Sequence, residues 1–261
     1  MATLVSFHAH PDDECIACGG VMRAAADAGH RVVLVVATRG EHGEIVQDVL
    51  APGQTLAERR IQETHAAAMV LGVARTEFLG YTDSGMVDTD TNGAAGSFWT
   101  ADVEEAAERL ATILREEDAE VLTVYDDNGG YGHPDHVQVH RVGMRAGELA
   151  GTPRIYQATQ NRDEMRRYFA AMAAARSGDE ELPDIDTENF GKPEAELTTR
   201  VDVWPWLTAK RTAMRAHPSQ IAEDSFFLAL PDEVFAMAFG TEWFIRVGAE
   251  PGPPWETSLL S

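Results

Sequence analysis

The residue pattern predicts an α/β fold: a Rossmann-like, mostly parallel sheet with helices on both faces and a C-terminal elaboration. Short apolar runs recur without polar alternation, as strands covered on both faces require. Helical patterns alternate with these runs through the first half of the chain, the mark of successive strand–helix–strand units. Two polar clusters rich in histidine and aspartate follow directly on apolar runs, where an open parallel sheet places its binding crevice.

The first strand is expected over Val5–Ala9, with TLVSF already strand-like from Thr3, followed by one helix from about Glu14 to Ala28. Arg31–Ala37 (RVVLVVA) is a continuous apolar run and reads as a buried strand. Leu56–Leu71 is helical, with a short strand near Glu77–Gly80 behind it. A helix over Asp102–Glu117, a buried strand over Glu120–Tyr125 (EVLTVY), a helix over His133–Leu149 and a strand over Arg154–Ala158 continue the alternation. Ser177–Glu196 is acidic and proline-containing and reads as a loop or insertion. Lys210–His217 is helical, while Phe226–Phe239 and Glu242–Val247 add apolar elements that cover the sheet or form a small subdomain. With no internal repeat, the economical organisation is one domain over residues 1–261, with a core of about 1–160 and an elaboration of about 161–261.

Hydrophobic side chains make up 44% of the chain, which suits a globular protein with a substantial core. No apolar run is long enough to cross a bilayer, and the N-terminus lacks the pattern of a secretion signal, so a cytoplasmic location is expected. Lys and Arg number 21 against 43 Asp and Glu, a net charge of −22. That balance repels nucleic-acid phosphates and anionic membrane surfaces, which leaves a small molecule as the expected partner and a homo-oligomer open. The two cysteines, Cys15 and Cys18, are spaced as a redox pair, but Asp12, Asp13 and Glu14 beside them should raise the thiol pKa values and favour two buried small residues instead.

The first polar cluster is His8-Ala9-His10-Pro11-Asp12-Asp13-Glu14; the second runs from Asn128 through Gly129-Gly130-Tyr131-Gly132 to His133-Pro134-Asp135-His136. Both contain His-Pro-Asp and both lead into a helix. Zinc favours neutral imidazole and carboxylate ligands, and a catalytic site keeps one position open. Pro11 forces a tight turn that lets His10 and Asp13 converge, leaving Asp12 free to act as a base. His136 can supply a third ligand, and Asp135 can fix the imidazole of His133 by a hydrogen bond. Either cluster alone could be a helix cap with acidic first-turn residues. Two at equivalent topological positions, one preceded by glycines that bring backbone close to a ligand, make that reading poor. His8 and His140 are read as supporting groups, His42 as a rim or exposed loop residue, and Trp204 and Trp206 as packing anchors.

Ala9-His10-Pro11-Asp12-Asp13-Glu14 together with Gly132-His133-Pro134-Asp135-His136 resembles the PIG-L/LmbE-like family of zinc-dependent N-deacetylases. Asp126-Asp127-Asn128-Gly129-Gly130-Tyr131-Gly132 and Asp83-Ser84-Gly85-Met86 are similar to its mycothiol branch of acetylglucosaminyl-inositol deacetylases and mycothiol conjugate amidases. The resemblance runs from the first strand to about Ala150 and returns at Ala216-His217-Pro218-Ser219-Gln220. It implies a metal-dependent hydrolase that removes an acetyl or other acyl group from the nitrogen of an amino sugar or glucosaminyl-inositol-type conjugate. His10, Asp13 and His136 are the implied metal ligands, for zinc or, with the same ligand set, ferrous iron. Asp12 is the implied general base, and Tyr131 and His133 the groups facing the reacting carbonyl. Arg60 and Asp83 match positions that hold polar groups of the substrate, and are expected at the pocket mouth. On this reading His133, as an imidazolium supported by Asp135, is the acid for the departing amine. An amidase of thiol conjugates shares the motifs. A non-catalytic sugar- or nucleotide-binding module would instead need Gly-x-Gly-x-x-Gly where this chain has His-Pro-Asp-Asp-Glu.

Overall fold

The computed structural model describes residues 1–175 and 189–260. The described residues build one seven-stranded sheet. β1 (Thr3–His8), β2 (Arg31–Val36), β3 (Arg75–Phe78), β4 (Val121–Tyr125) and β5 (Arg154–Thr159) run parallel in the order β3-β2-β1-β4-β5. β1, β2 and β4 are buried along nearly their whole length, which is why their sequences lack polar alternation. Beyond β5 the sheet is extended by β7 (Thr241–Arg246) and then the edge strand β6 (Thr199–Asp202), each antiparallel to its neighbour. The late apolar segment 242–247 therefore lengthens the sheet. β6 has no counterpart in the sequence reading, because four residues (TRVD) are too short for a period-two pattern to declare itself.

Helices with cap chemistry lie where the pattern put them. α3 (Leu56–Leu71) starts at a Thr55–Glu58 capping box and stops at Gly72, whose φ is 76°. α4 (Val103–Glu116) is capped by Asp102, and α5 (Pro134–Ala150) carries proline at its first turn and ends at Gly151.

The expected helix over residues 14–28 is in fact two, α1 (Asp13–Ala17) and α2 (Gly19–Asp27), broken at Cys18. A Cβ on Gly20 would lie 2.4 Å from Cβ of Val203, so only glycine admits this approach. The start of α2 is completed from far away: the Glu242 carboxylate accepts the N–H groups of Gly20 (2.7 Å) and Val21 (2.9 Å). Glu242 is neutralised by the buried Lys210 at 2.5 Å. The short strand expected near Glu77–Gly80 sits earlier, as β3, because its register with β2 begins at Arg75 and Gly80, at φ 85°, turns the chain away. α6 (Arg162–Ala175) was not expected, and α7 (Leu207–Arg215) begins three residues before the predicted Lys210. Within the apolar segment Phe226–Phe239, residues Asp232–Phe239 form helix α8. Residues 177–188 of the acidic segment lie outside the described residues; 194–196 form a short 3-10 turn.

Candidate active site

β1 and β4 are adjacent strands from which the chain proceeds to opposite sides of the sheet, the topological switch point of the fold. The two histidine-rich clusters follow these two strands, so sequence positions 10–13 and 129–136 meet over one crevice. On the β1 side, the His10 N–H donates to Asp13 Oδ2 at 2.8 Å, closing the turn through Pro11. On the β4 side, Asp126 gathers the loop by accepting from Asn128 N–H (3.0 Å) and Gly130 N–H (2.9 Å). Gly129 packs so closely that a Cβ there would lie 2.5 Å from His136 Cβ, and its φ is 61°. This approach delivers the Gly129 carbonyl to His136 Nδ1 at 3.1 Å.

A carbonyl can only accept, so Nδ1 of His136 carries the proton and Nε2 carries the lone pair. That Nε2 is buried and has no hydrogen-bond partner among the described residues. It lies 3.4 Å from Asp13 Oδ2, and the same oxygen is 3.5 Å from His10 Nδ1. Tetrahedral zinc at ~2.0–2.1 Å from nitrogen and oxygen holds its ligand atoms about 3.3 Å apart, so these spacings suit a shared cation. The far nitrogen of His10 faces Asp135 Oδ2 (3.1 Å) and Asp83 Oδ1 (3.4 Å), a carboxylate–histidine arrangement that directs Nδ1 towards Asp13. Burial works against charge on His10, but the Asp13, Asp135 and Asp83 contacts outweigh it and raise its pKa well above the ordinary value. Burial likewise opposes charge on Asp13, yet the two histidines hold its carboxyl well below the usual range. Nitrogens of His10, His133 and His136 also fall within 4.8 Å of one another. Glu14, Cys15 and His217 are as tightly grouped, but His217 Nε2 and Glu14 Oε1 are 2.6 Å apart, a hydrogen bond too short to bracket an ion.

Asp12 departs from ordinary backbone geometry with φ 98°, and its carboxylate makes no hydrogen bond among the described residues. Burial, with the neighbouring charge of Asp13, pushes its pKa up to about 7. His133 caps α5, and its Nδ1 accepts the Asp135 backbone N–H at 3.1 Å, which leaves the proton on Nε2. Burial, then the proximity of His10, lowers the His133 pKa to about 4. The expected bond from the Asp135 carboxylate to His133 is therefore corrected: that carboxylate serves His10 and Ser84, whose N–H and Oγ–H donate at 2.9 and 2.5 Å. His133 is a neutral N–H donor. Tyr131, 47% exposed, packs its ring edge-on against His133 and His136 at centroid distances of 6.3 and 5.0 Å.

Arg60 and Asp83 do not lie at the pocket mouth; each is 3% exposed. A buried charge requires partners, and both find them inside the protein, although Nε of Arg60 has none among the described residues. The Arg60 guanidinium donates to the carbonyls of Gly40 and Glu44, holding the loop that follows β2. Asp83 accepts the N–H groups of Gly85 (2.8 Å) and His42 (3.1 Å) and faces His10. The sequence reading passed over Tyr125, whose ring stacks on His136 at 4.5 Å and whose hydroxyl meets His8 Nδ1 at 2.8 Å. It also passed over Ser84, although Ser84 lies within a quoted motif. His8 is buried and bridges Ser6 to Tyr125, and His140 Nδ1 bonds the Tyr125 carbonyl, so both are supports. His42 is an exposed loop residue, and Trp204 is 54% exposed. Cys15 and Cys18 are fully buried, and burial raises both thiols, Cys18 to about 12, which removes the redox reading.

Known proteins resemble this chain in sequence and in fold. A 1D-myo-inositol 2-acetamido-2-deoxy-alpha-D-glucopyranoside deacetylase of Streptomyces avermitilis is 39% identical, over 98% of this chain and 96% of that protein. The N,N'-diacetylchitobiose deacetylase of Pyrococcus horikoshii superposes with a TM-score of 0.58 at 22% identity, covering 94% of this chain and 83% of that one. The 4-carboxy-2-hydroxymuconate hydratase of Pseudomonas putida KT2440 superposes with a TM-score of 0.60 at 17% identity over 95% and 97% of the two chains. At such identities the two structural likenesses speak to the fold alone, and the pairing of a deacetylase with a hydratase shows that the fold does not fix the reaction. Residues 5–147 match the PIG-L family, described as GlcNAc-PI de-N-acetylase, and with the full-length relative this establishes that the chain belongs to that family.

Proposed function

We propose that this protein is a zinc-dependent hydrolase that removes the N-acetyl group of a glucosaminyl-inositol-type conjugate, with His10, Asp13 and His136 holding the metal. The observation that carries this reading is the buried, unpartnered Nε2 of His136 at 3.4 Å from an Asp13 oxygen that also lies 3.5 Å from His10. The substrate class rests on the name borne by the full-length relative.

Zinc bound there would supply Lewis acidity towards an amide carbonyl and towards water. The remaining chemistry belongs to the chain. Asp12, raised towards neutrality by burial and by Asp13, takes a proton from the attacking water and returns it to the departing amine. Neutral His133 directs its Nε2 proton at the oxyanion that develops on the carbonyl oxygen. Tyr131, the exposed aromatic beside these histidines, closes the same side of the crevice. Arg60 acts on the substrate through the loop it holds, since two of its guanidinium nitrogens are engaged by the Gly40 and Glu44 carbonyls.

The test is acetate release from the acetylated glucosaminyl-inositol and from free N-acetylglucosamine, before and after chelation and re-addition of zinc. Release that disappears with the metal, returns with zinc and favours the inositol conjugate supports the reading. Absence of release from either compound by the zinc-loaded protein would overturn it.

A further inference from the structure

The motif Ala216-His217-Pro218-Ser219-Gln220 has no part in the chemistry above, although its histidine is completely buried beneath the site. We infer that His217 is a positioning residue for Asp12, acting through Glu14; the inference rests on the hydrolase reading just given.

The geometry is a bridge of two contacts. His217 Nε2 meets Glu14 Oε1 at 2.6 Å, and the other oxygen of Glu14 accepts the backbone N–H of Asp12 at 2.9 Å. Both His217 and Glu14 are 0% exposed, so the carboxylate has no water to turn to and depends on His217 for its orientation and charge balance. The Asp12 carboxylate has no hydrogen-bond partner among the described residues, so its direction is set by its backbone, and that backbone lies at φ 98° and ψ −29°. A non-glycine residue keeps such a conformation only where its surroundings enforce it. The Asp12 carbonyl is held by Cys15 N–H at 3.2 Å and by the Cys15 thiol at 2.9 Å; its N–H is held by Glu14.

His217 is itself anchored. Its carbonyl accepts from Gln220 N–H (3.0 Å) and Ile221 N–H (2.8 Å). Two residues on, Ser219 donates from Oγ at 2.5 Å and from N–H at 3.2 Å to the buried carboxylate of Glu63 on α3. The segment thus joins α3 to the first turn of α1, and His217 transmits that fixed position to Asp12 through Glu14, 203 residues away in sequence. A purely structural ion pair would stabilise the fold without favouring any catalytic group; a positioning residue acts through Asp12 and is silent once Asp12 has lost its function.

The test compares His217→Asn, which is too short to reach Glu14, with His217→Gln, whose amide N–H can reach it. In the zinc-loaded protein, His217→Asn is expected to lower kcat about 10- to 100-fold with KM and zinc content little changed, and His217→Gln to recover most of the loss. Placed on Asp12→Asn, His217→Asn should cause no further loss. Glu14→Ala cuts the same bridge from its other end and must behave as His217→Asn does. Amide hydrogen exchange at Asp12 gives a reading independent of turnover, and it should quicken in His217→Asn and Glu14→Ala but not in His217→Gln. An equal fold-loss in the Asp12→Asn background, equal impairment by Asn and Gln, or unchanged Asp12 exchange would overturn the proposal. Failure of the wild-type protein to release acetate would sink the hydrolase reading while leaving the exchange measurement to decide whether the bridge holds Asp12.

Discussion

Asp12 and Asp13 are neighbours in sequence with opposite electrostatic fates. Two histidines hold Asp13 ionised, while burial and that same Asp13 charge lift Asp12 to about 7. Asp12→Asn is therefore expected to keep its zinc by elemental analysis and to lose about 100- to 10,000-fold in kcat, the usual worth of a general base. Asp13→Ala and His136→Ala should instead release the metal, and full occupancy in either would refute the ligand set. The proposed ligand residues could be picked out because two His-Pro-Asp motifs carry them. The connections among them were not. Adjacent residues in a motif point in different directions, so nothing in His133-Pro134-Asp135 reveals that the Asp135 carboxylate turns to His10 while only its N–H reaches His133. The placement of Arg60 and Asp83 at the pocket mouth failed for a related reason: a charged residue in a motif is as readily buried as exposed, and sequence does not record exposure.

Elements with local signals were read closely, and elements completed by distant partners were not. α3 owes its bounds to Thr55, Glu58 and Gly72, all within its own segment. The split between α1 and α2 depends on Val203 and Glu242, which no window around Cys18 contains. A similar long-range tie fixes the β3 edge of the sheet. Arg31 at the start of β2 and Arg75 at the start of β3 both donate to Glu117, just beyond α4. The Arg31 contact, opposed by burial and helped by Arg75, lowers the Glu117 pKa from 4.5 to about 2. A carboxyl depressed on folding stabilises the protein at pH values above its ordinary range and loses that contribution as pH falls through the depressed value. Glu117→Gln should cost about 1–2 kcal/mol at pH 7, less than the full shift implies because both arginines are partly solvated. The gap between wild type and variant in urea midpoint should narrow steadily from pH 5 to pH 2; a gap that is constant with pH would show that the carboxylate charge is not responsible.

At the scale of the whole molecule, one buried ion pair ties the C-terminal elements to the start of α2. Lys210 on α7 and Glu242 on β7 form an ion pair with side chains 2% exposed, and the same carboxylate completes the start of α2. Such a pair adds little over an apolar substitute, but removing one partner strands the other charge in the interior. Lys210→Met is expected to destabilise the protein by about 3–5 kcal/mol in urea unfolding, and a loss below about 1 kcal/mol would mean that Glu242 finds another counter-charge. The net charge of −22 carried no hint of this pair, since a total says nothing about where single charges sit.

Glu242 caps a helix whose first residues precede it by 222 positions in the chain. During synthesis the start of α2 leaves the ribosome long before its cap is made, and its two amide donors stay with water until β7 arrives. Closing so long a loop comes late in folding, because its entropy cost must be met by contacts formed earlier. All three proposed metal ligands have been translated by His136. A nascent or shortened chain that ends before Glu242 thus holds all three proposed ligands, yet lacks the contact that completes its first long helix. Translation order places the residues of the proposed site well ahead of the cap that completes the helix beside them.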